Sequence, residues 1–322
     1  MADSARRVCL IVPCYNEELR LPEADFSAWI AASPHAKVLF VDDGSRDGTV
    51  KVLQRIADST PPGRCRVLPL RTNQGKAEAV RIGLCDALRS GDAVDGDAIG
   101  FWDCDLATPL YAVDQLVAVL QPRPRLQMVF AARVALLGRK IERNPIRHYL
   151  GRVFATLASL SLDLAIYDTQ CGAKIFRVTP ALRTVLAEPF MTRWVFDCEI
   201  IARFASLASK DELLPLPSEP RRGGSGGSAP IALSEAIYEY PLEEWVDVAG
   251  SKVKPADVLR MAIGLLRIRS MYFLHDWPSG KAKPAFYVTI VALSAVTLLA
   301  LLALVALGLL LMREAALRSR YA

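Results

Sequence analysis

Between residues 8 and 132 of the 322-residue chain, short apolar segments alternate with helix-like segments, and this alternation restricts the fold more than any other feature. The apolar segments are bounded by turn residues and are almost continuously hydrophobic, which is typical of strands buried on both faces. The pattern predicts an α/β fold in which helices cover both faces of a mostly parallel sheet. The predicted strands are 8–13, 36–42, 66–70, 98–102 and 127–132, and the predicted helices are 17–32, 49–59, 76–90 and 111–120.

The C-terminal part of the chain has a different character, because residues 285–312 contain no charged side chain. A helix of that length extends about 42 Å at ~1.5 Å per residue, and the hydrocarbon core of a bilayer is about 30 Å thick. We therefore predict one transmembrane helix at 285–312, followed by a short basic tail at 313–322. Region 254–284 before it is amphipathic, and its arginine-containing helical pattern favours a position at the membrane interface, with a core helix as the alternative.

Composition excludes several classes of protein. The 39 basic and 34 acidic residues give a net charge of +5, which is too small for a dedicated nucleic-acid binder and fits an anionic substrate or a lipid surface better. The seven cysteines are odd in number and form no C-x-x-C, and there are three histidines, so a disulfide framework and a Cys or His metal cluster are not indicated. The Gly/Ser-rich stretch at 218–230 predicts a flexible surface loop.

Polar side chains gather where the predicted strands end, and ligands of open α/β sheets bind beyond those carboxyl ends. Asp42 and Asp43 end the second strand, and Asp103 and Asp105 follow the fourth. Two carboxylates with the latter spacing can reach one hard cation that bridges a diphosphate. Acidic residues in such places also commonly cap the next helix. The sequence contains neither G-x-x-x-x-G-K-[ST] nor G-x-G-x-x-G, which argues against a P-loop ATPase and a dinucleotide enzyme.

Four of these strand-end segments resemble the family 2 glycosyltransferases of GT-A fold. They read VPCYNEE at 12–18, VDDGSRDGT at 41–49, NQGKAEAVRIG at 73–83 and DCD at 103–105. Later segments are similar to the polyprenyl-phosphate branch of that family, most of all to its dolichyl-phosphate β-glucosyltransferases and next to its mannosyltransferases. These are RN at 143–144, DTQCGAKIF at 168–176, RWVFDCE at 193–199 and GSKV at 250–253. The likeness keeps a consistent order over about residues 8–273.

The resemblance implies a catalytic domain over residues 1–253 that transfers a hexose, with glucose favoured, from a nucleotide sugar to a polyprenyl phosphate with inversion. It also implies Mg²⁺ or Mn²⁺ held by Asp103 and Asp105. Ala107 stands where the mannosyltransferases carry a Gln metal ligand, and DCDLAT replaces the DADGAT of the glucosyl members, so GDP-mannose stays open as the donor. The residues implied to hold the nucleotide sugar are Pro13, Tyr15, Glu17, Asp42, Asp43, Lys76 and Asp103.

Transfer to a phosphate needs cationic groups more than it needs a base, because a phosphate monoester with a second pKa near 6 is ionised at neutral pH. A cluster of basic residues follows the fifth predicted strand and precedes an apolar helix at 149–166. It predicts a binding loop for the acceptor phosphate, and a solvated basic loop is the alternative. The predicted catalytic residues are Asp105, Asp168 and Arg143, although Asp168 could equally be a structural cap. The predicted acceptor-phosphate ligands are Arg133, Arg139, Lys140, Arg143, Arg147 and Lys252.

Other readings stay open at this stage. Trp194, Asp197 and Glu199 fit a structural role at a helix start as well as a functional one. A sugar-nucleotide pyrophosphorylase and a non-catalytic membrane scaffold are the rival functions, and the former expects a basic Gly-rich loop where residues 14–17 read CYNE. For the favoured function, the partners are the donor, the lipid acceptor and lipid headgroups, and the catalytic domain faces the cytosol. Homo-oligomerisation stays open.

Overall fold

A sheet of seven strands runs through the part of the chain that the computed structural model describes, namely residues 7–215, 229–248 and 255–273. Its order is β3-β2-β1-β4-β7-β5-β8 once the strands are numbered along the chain. Two further strands, β6 and β9, pair separately in parallel. The strands are β1 (Val8–Cys14), β2 (Ala36–Asp42), β3 (Cys65–Pro69), β4 (Ala98–Trp102), β5 (Met128–Ala132), β6 (Lys140–Glu142), β7 (Ala173–Arg177), β8 (Ile237–Pro241) and β9 (Glu244–Val246).

The prediction of a mostly parallel sheet is confirmed. Strands β3, β2, β1 and β4 pair in parallel, as do β5 and β8, while β7 runs antiparallel to both of its neighbours, β4 and β5. The β1–β2 register joins Val8 to Ala36 and Cys14 to Asp42, so both strands end at the same edge of the sheet. The polar residues that follow them are therefore neighbours. The sequence patterns did not single out β7 as a strand.

Helices cover both faces of the sheet and divide the core in two. Helices α1, α2 and α4 pack on one face, and α3, α5, α6, α7 and α9 on the other. Side chains of β1 alternate between the two cores, with Leu10 in the first and Ile11 in the second, as the period of two in a strand requires. The helices are α1 (Glu23–Ala32), α2 (Thr49–Ser59), α3 (Lys76–Ser90), α4 (Tyr111–Leu120), α5 (Pro145–Leu162), α6 (Pro180–Ala187), α7 (Phe196–Ser209), α8 (Leu233–Ala236) and α9 (Pro255–Tyr272).

The first helix begins later than its pattern predicted, at Glu23 rather than at residue 17. Asn16 takes a left-handed backbone conformation with φ of 51°, and the amides of Arg20 and Leu21 close a turn onto the carbonyl of Glu17. Pro22 then disfavours a helical conformation for the residue before it. The segment between β1 and α1 is therefore a loop at the edge of the sheet and not the first turns of a helix.

Helix α9 packs one face against α5 and α7, and the compact unit that contains it extends to Phe273. Leu265 and Ile268 are buried in the core, whereas Ile263 and Met271 are 43% and 51% exposed. Arg269 donates hydrogen bonds to the carbonyls of Leu160 and Ser161 at the end of α5. A membrane-interface position for the outer face of α9 stays a prediction.

Several predicted features lie outside the described residues. These are the transmembrane segment at 285–312, the tail at 313–322, Lys252 and all but the last two residues of the loop at 218–230. Within residues 7–215, 229–248 and 255–273, no helix combines the length and the apolar character needed to cross a membrane.

Candidate active site

The loops after β1 and β2 are joined by hydrogen bonds between backbone and side chains. The Asn16 amide donates to Ser45 Oγ at 2.9 Å, and the Glu17 amide donates to Thr49 Oγ1 at 2.8 Å. In return the Arg46 amide donates to Asn16 Oδ1 at 2.9 Å. The left-handed conformation of Asn16, which Asn tolerates better than most residues, allows this exchange. Pro13 thus lies near the end of β1, and Tyr15 and Glu17 lie on the loop after it, which is fixed against the loop that follows β2.

Asp42 and Asp43 occupy the centre of this edge and are both buried. Asp42 Oδ2 accepts a hydrogen bond from the Ser45 amide, whereas its Oδ1 is buried without a partner among the described residues. A buried carboxylate oxygen in that state costs free energy unless a ligand donates to it. Asp43 is fully engaged, since it accepts bonds from Asn73 Nδ2 and from the amides of Gln74 and Gly75 at 2.9, 2.6 and 2.8 Å.

Burial raises the pKa of Asp43, against the backbone hydrogen bonds from Gln74 and Gly75, which lower it. The bonds from residues 73–75 fix the loop that leads into α3. Gly75 has a φ of 90°, a conformation that disfavours any residue with a Cβ. The bend at Gly75 brings Lys76, the first residue of α3, to the end of β4.

The carboxylates of Asp103 and Asp105 lie beside the ammonium group of Lys76. Lys76 Nζ is 2.5 Å from Asp103 Oδ1, and the two side chains are 43% and 37% exposed. Burial would lower the pKa of Lys76, but the carboxylates of Asp103, Asp197 and Asp105 raise it. Burial raises the pKa of Asp105, and the charge of Asp103 raises it further. Two like charges thus stand close together at an accessible edge, where a cation would be stabilised.

Gly172 supports Asp103 from the start of β7. The Asp103 amide donates to the Gly172 carbonyl at 2.9 Å, and a Cβ on Gly172 would collide with the carboxylate of Asp103. Behind this contact, Lys174 is completely buried, with Nζ 2.5 Å from the Cys171 carbonyl and 2.6 Å from Asp197 Oδ1. Lys174 therefore anchors the turn that holds Asp103, and Asp197 neutralises Lys174. The sequence patterns did not indicate that Lys174 is buried, because its strand, β7, was not among the predicted strands.

Asp168 and Arg133 form a buried bidentate ion pair. Arg133 Nε and Nη2 donate to Asp168 Oδ2 and Oδ1 at 2.7 and 2.8 Å, and the Arg133 amide donates to Oδ2 at 3.1 Å. Burial alone would raise the pKa of Asp168, but the charge and hydrogen bonds of Arg133 hold it well below its ordinary range. Glu239 on β8 accepts from the amides of Tyr167 and Asp168 and fixes the loop that carries the pair.

The other predicted acceptor ligands differ in how they are engaged. Arg139 pairs with Glu243 at 3.0 Å and Lys140 with Glu244 at 2.7 Å. Arg143 is half-buried over α5, where a Cβ on Gly151 would lie 2.5 Å from its Nη2, and it has no hydrogen bond or ion pair in the described ranges. Burial lowers its pKa, and the positive charge of Arg133 lowers it further. The side chain of Arg147 and the whole of Lys252 lie outside the described part of the structure.

Similarity to known proteins identifies the family. The profile of glycosyl transferase family 2 matches residues 9–183. The chain belongs to this family. It is therefore a glycosyltransferase, as its motifs predicted.

Curated relatives resemble this glycosyltransferase over most of its length. A human dolichyl-phosphate β-glucosyltransferase is 30% identical, with 84% of this chain and 78% of the human protein covered. The Drosophila melanogaster protein of the same description is 32% identical over 83% of this chain and 76% of its own. The Saccharomyces cerevisiae protein is 26% identical over 84% and 77%.

Solved structures agree with the fold of this glycosyltransferase. Glucosyl-3-phosphoglycerate synthase from Mycobacterium tuberculosis, in complex with Mn²⁺ and UDP-glucose, superposes with a TM-score of 0.53. The two are 17% identical, and the match covers 82% of this chain and 79% of the synthase. At that identity the similarity concerns the fold alone, and it confirms the predicted GT-A arrangement.

Proposed function

We propose that this glycosyltransferase transfers glucose from a nucleotide sugar to a polyprenyl phosphate, such as dolichyl phosphate, with inversion at the anomeric carbon. The observation that carries the proposal is the similarity to dolichyl-phosphate β-glucosyltransferases over five-sixths of the chain, including 30% identity to the human enzyme. The convergence of Asp42, Asp43, Lys76, Asp103 and Asp105 at one edge of the sheet supports it.

On the donor side, the partnerless Oδ1 of Asp42 is suited to accept a hydrogen bond from the nucleoside. Asp43 holds the loop at residues 73–75, and Lys76 would meet the negative charge of the diphosphate. Pro13, near the end of β1, and Tyr15 and Glu17 on the loop after it would line the nucleoside side, because the bond from the Glu17 amide to Thr49 fixes that loop to the start of α2.

The acidic pair is suited to a divalent cation. Mg²⁺ is commonly held by one or two carboxylates together with substrate phosphates and water, and Asp103 and Asp105 offer two carboxylates that repel each other. In the described ranges no group of three or more His, Cys, Asp or Glu residues could hold a metal ion. Bound there with the donor, Mg²⁺ or Mn²⁺ would neutralise charge on the leaving diphosphate. An Mn²⁺ complex of a GT-A relative with UDP-glucose supports this proposal.

On the acceptor side, an ionised phosphate oxygen forms a bond to the anomeric carbon as the bond from that carbon to the donor diphosphate breaks. The nucleophile needs no general base, and Asp168 is poorly suited to be one because Arg133 holds its pKa far below neutrality. Arg143 is the best candidate to bind the acceptor phosphate, since it is half-buried and cationic and forms no ion pair in the described ranges. We assign Arg133 and Asp168 to positioning the loop beside it.

A lipid acceptor requires the site to open near the headgroup plane. Large apolar side chains on the outer surfaces of two helices fit this requirement. They are Tyr149 and Leu160 on α5, exposed by 72% and 66%, and Ile263 and Met271 on α9. We propose that this side faces lipid headgroups, that residues 285–312 anchor the chain and that the catalytic unit lies in the cytosol.

The test is a donor panel with the purified full chain in detergent. UDP-glucose, GDP-mannose and other UDP-hexoses are each incubated with polyprenyl phosphate and Mn²⁺, and labelled lipid product is counted. We expect UDP-glucose to give the highest rate. Transfer from GDP-mannose alone would overturn the donor assignment, and no transfer to any polyprenyl phosphate would overturn the function.

The acceptor assignment is tested with Arg143→Glu. We expect the KM for polyprenyl phosphate to rise at least about tenfold, since a charge-assisted contact is replaced by repulsion, with the affinity for UDP unchanged. Arg89→Glu is the matched control, because Arg89 is 76% exposed near the far end of α3. An equal loss of UDP affinity in Arg143→Glu would contradict the assignment.

A further inference from the structure

The loop between α6 and α7, residues 188–195, reaches the donor edge of the site. Arg193 of this loop passes over Gly75, such that a Cβ on Gly75 would lie 3.3 Å from Arg193 Nε. Its charge is close enough to Asp43 to oppose the rise in pKa that burial causes there. Arg193 thus stands beside the same bend that presents Lys76.

The guanidinium group of Arg193 is available for a ligand. The side chain is exposed, and in the described part of the chain it forms no ion pair or hydrogen bond. Lys76, by contrast, is already paired with Asp103. Two cations therefore lie next to Gly75: Lys76, which is paired with Asp103, and Arg193, which has no ion pair among the described residues. A guanidinium group is the side chain best suited to bind two phosphate oxygens at once.

A buried network of hydrogen bonds holds the backbone of this loop. Arg203 on α7 donates to the carbonyls of Val185, Glu188 and Pro189, each at 2.7 Å, and to Glu199 Oε1 at 2.7 Å. Glu199 Oε2 in turn accepts from the Met191 amide at 2.9 Å. The backbone of the loop is thereby fixed two residues before Arg193.

Helix α9 completes this network at two points. The Tyr272 hydroxyl accepts a hydrogen bond from Arg203 Nε at 3.1 Å and donates to Glu199 Oε1 at 3.4 Å. Gly264 lies about two turns closer to the start of the helix than Tyr272. A Cβ on Gly264 would be 2.6 Å from Val195 Cγ2 and 3.3 Å from Thr192 Cγ2. Gly264 therefore lets α9 approach the two residues that flank Arg193 and Trp194.

We propose that Arg193 binds the diphosphate of the nucleotide donor and that α9 positions it, through Tyr272, Glu199 and Arg203 and through the close approach at Gly264. The inference rests on the proposed nucleotide-sugar donor and adds a residue to its binding site. Because the hydrogen bonds hold the loop in place before the donor arrives, less conformational entropy is lost on binding. The helix that precedes the predicted membrane anchor thus helps to set donor affinity.

The experiment measures the Kd of UDP with Mn²⁺ by calorimetry on the full chain in detergent, with Tm recorded for every variant. Arg193→Gln should weaken UDP binding at least about tenfold, and Arg193→Lys should restore part of the loss. Tyr272→Phe should weaken it about 3- to 10-fold, because it removes the hydroxyl that bonds Arg203 and Glu199 and thereby loosens the loop that carries Arg193. Tyr238→Phe is the matched control, since Tyr238 lies on the edge strand β8.

Gly264→Ala provides a second perturbation that cannot act through helix propensity. A helix interior is more stable with Ala than with Gly by about 1 kcal/mol, so helix propensity alone would not weaken the protein. If Gly264→Ala binds UDP more weakly while its Tm is not lowered, the cause is displacement of the loop. The KM for polyprenyl phosphate should stay constant in all these variants.

Unchanged UDP affinity in Arg193→Gln would overturn the role of Arg193. Loss in Arg193→Gln with wild-type affinity in both Tyr272→Phe and Gly264→Ala would overturn the positioning role of α9. The binding assay contains no acceptor and no sugar, so a failure of glucose transfer would refute the proposed function and leave this result standing.

Discussion

Arg133→Met offers a sharp test of how the site is built, because it removes one partner of a buried ion pair and keeps most of the side-chain length. The side chains of Arg133 and Asp168 are only 11% and 10% exposed, and three hydrogen bonds join the two residues. Removing one partner of such a pair costs about 3–5 kcal/mol, since the other charge stays buried and uncompensated. For a chain of this size, about 2–4 °C per kcal/mol converts this into a Tm lowered by roughly 6–20 °C.

The effect should depend on pH with a definite sign. In the wild type the pKa of Asp168 is held well below its unfolded value of about 3.9. The ion pair therefore contributes its full stability above about pH 4, and that stability is lost as the pH falls through the lower folded value. In Arg133→Met, burial should raise the pKa of Asp168 above its unfolded value, so destabilisation grows as the pH rises. The Tm gap between variant and wild type should be widest at neutral pH and should narrow toward pH 4.

The assay is thermal unfolding of the full chain in detergent at pH 5 and pH 7.5. Arg139→Met is the matched control, because Arg139 pairs with Glu243 at 3.0 Å on the surface, with side chains 31% and 50% exposed. Surface pairs of this kind contribute about 0–1 kcal/mol. A double variant, Arg133→Met with Asp168→Asn, should recover part of the loss. If Arg133→Met were as mild as Arg139→Met, or its Tm gap did not change with pH, the reasoning would be refuted.

Four further predictions concern the acidic edge and the buried ion pair behind it. Asp105→Asn should lower Mn²⁺-dependent transfer by at least about a hundredfold, because the metal that holds the diphosphate loses one ligand. In the wild type, the affinity for UDP and Mn²⁺ should fall as the pH is lowered, and the fall should begin at a pH above the ordinary pKa of an Asp, because the pKa of Asp105 is raised. An affinity that does not change with pH would contradict that raised pKa. Gly172→Ala should displace the carboxylate of Asp103, because the added Cβ would collide with it, and should therefore raise the Kd of Mn²⁺ with UDP. Titration calorimetry measures this Kd, and a wild-type value would contradict the prediction. Lys174→Met should lower Tm by about as much as Arg133→Met, since it leaves Asp197 buried without its partner at 2.6 Å, and near-normal melting would show that the pair is dispensable.

Much of the frame could be predicted from local sequence. The predicted bounds of α2, α3 and α4 and of strands β2 and β4 agree with the structure, because each of these elements has its own apolar period and lies between turn residues. The position of Asp103 and Asp105 at a strand end follows from the same reasoning. The start of α1 was wrong by six residues, since the turn after Asn16 depends on hydrogen bonds to residues near position 45.

What the tertiary structure alone decided is which charges meet. Nothing local indicates that Arg133 and Asp168, 35 residues apart, neutralise each other. Nor could the sequence show that Arg193 crosses Gly75, or that Lys174 on the antiparallel strand β7 is buried against Asp197. Apolar periodicity is a property of a few consecutive residues, and it determines where strands and helices begin and end. An ion pair depends on where distant segments are brought together by packing, so the sequence determined that charged groups gather at one edge of a sheet, and the fold determined which of them are neutralised by a partner and which are left to bind a ligand.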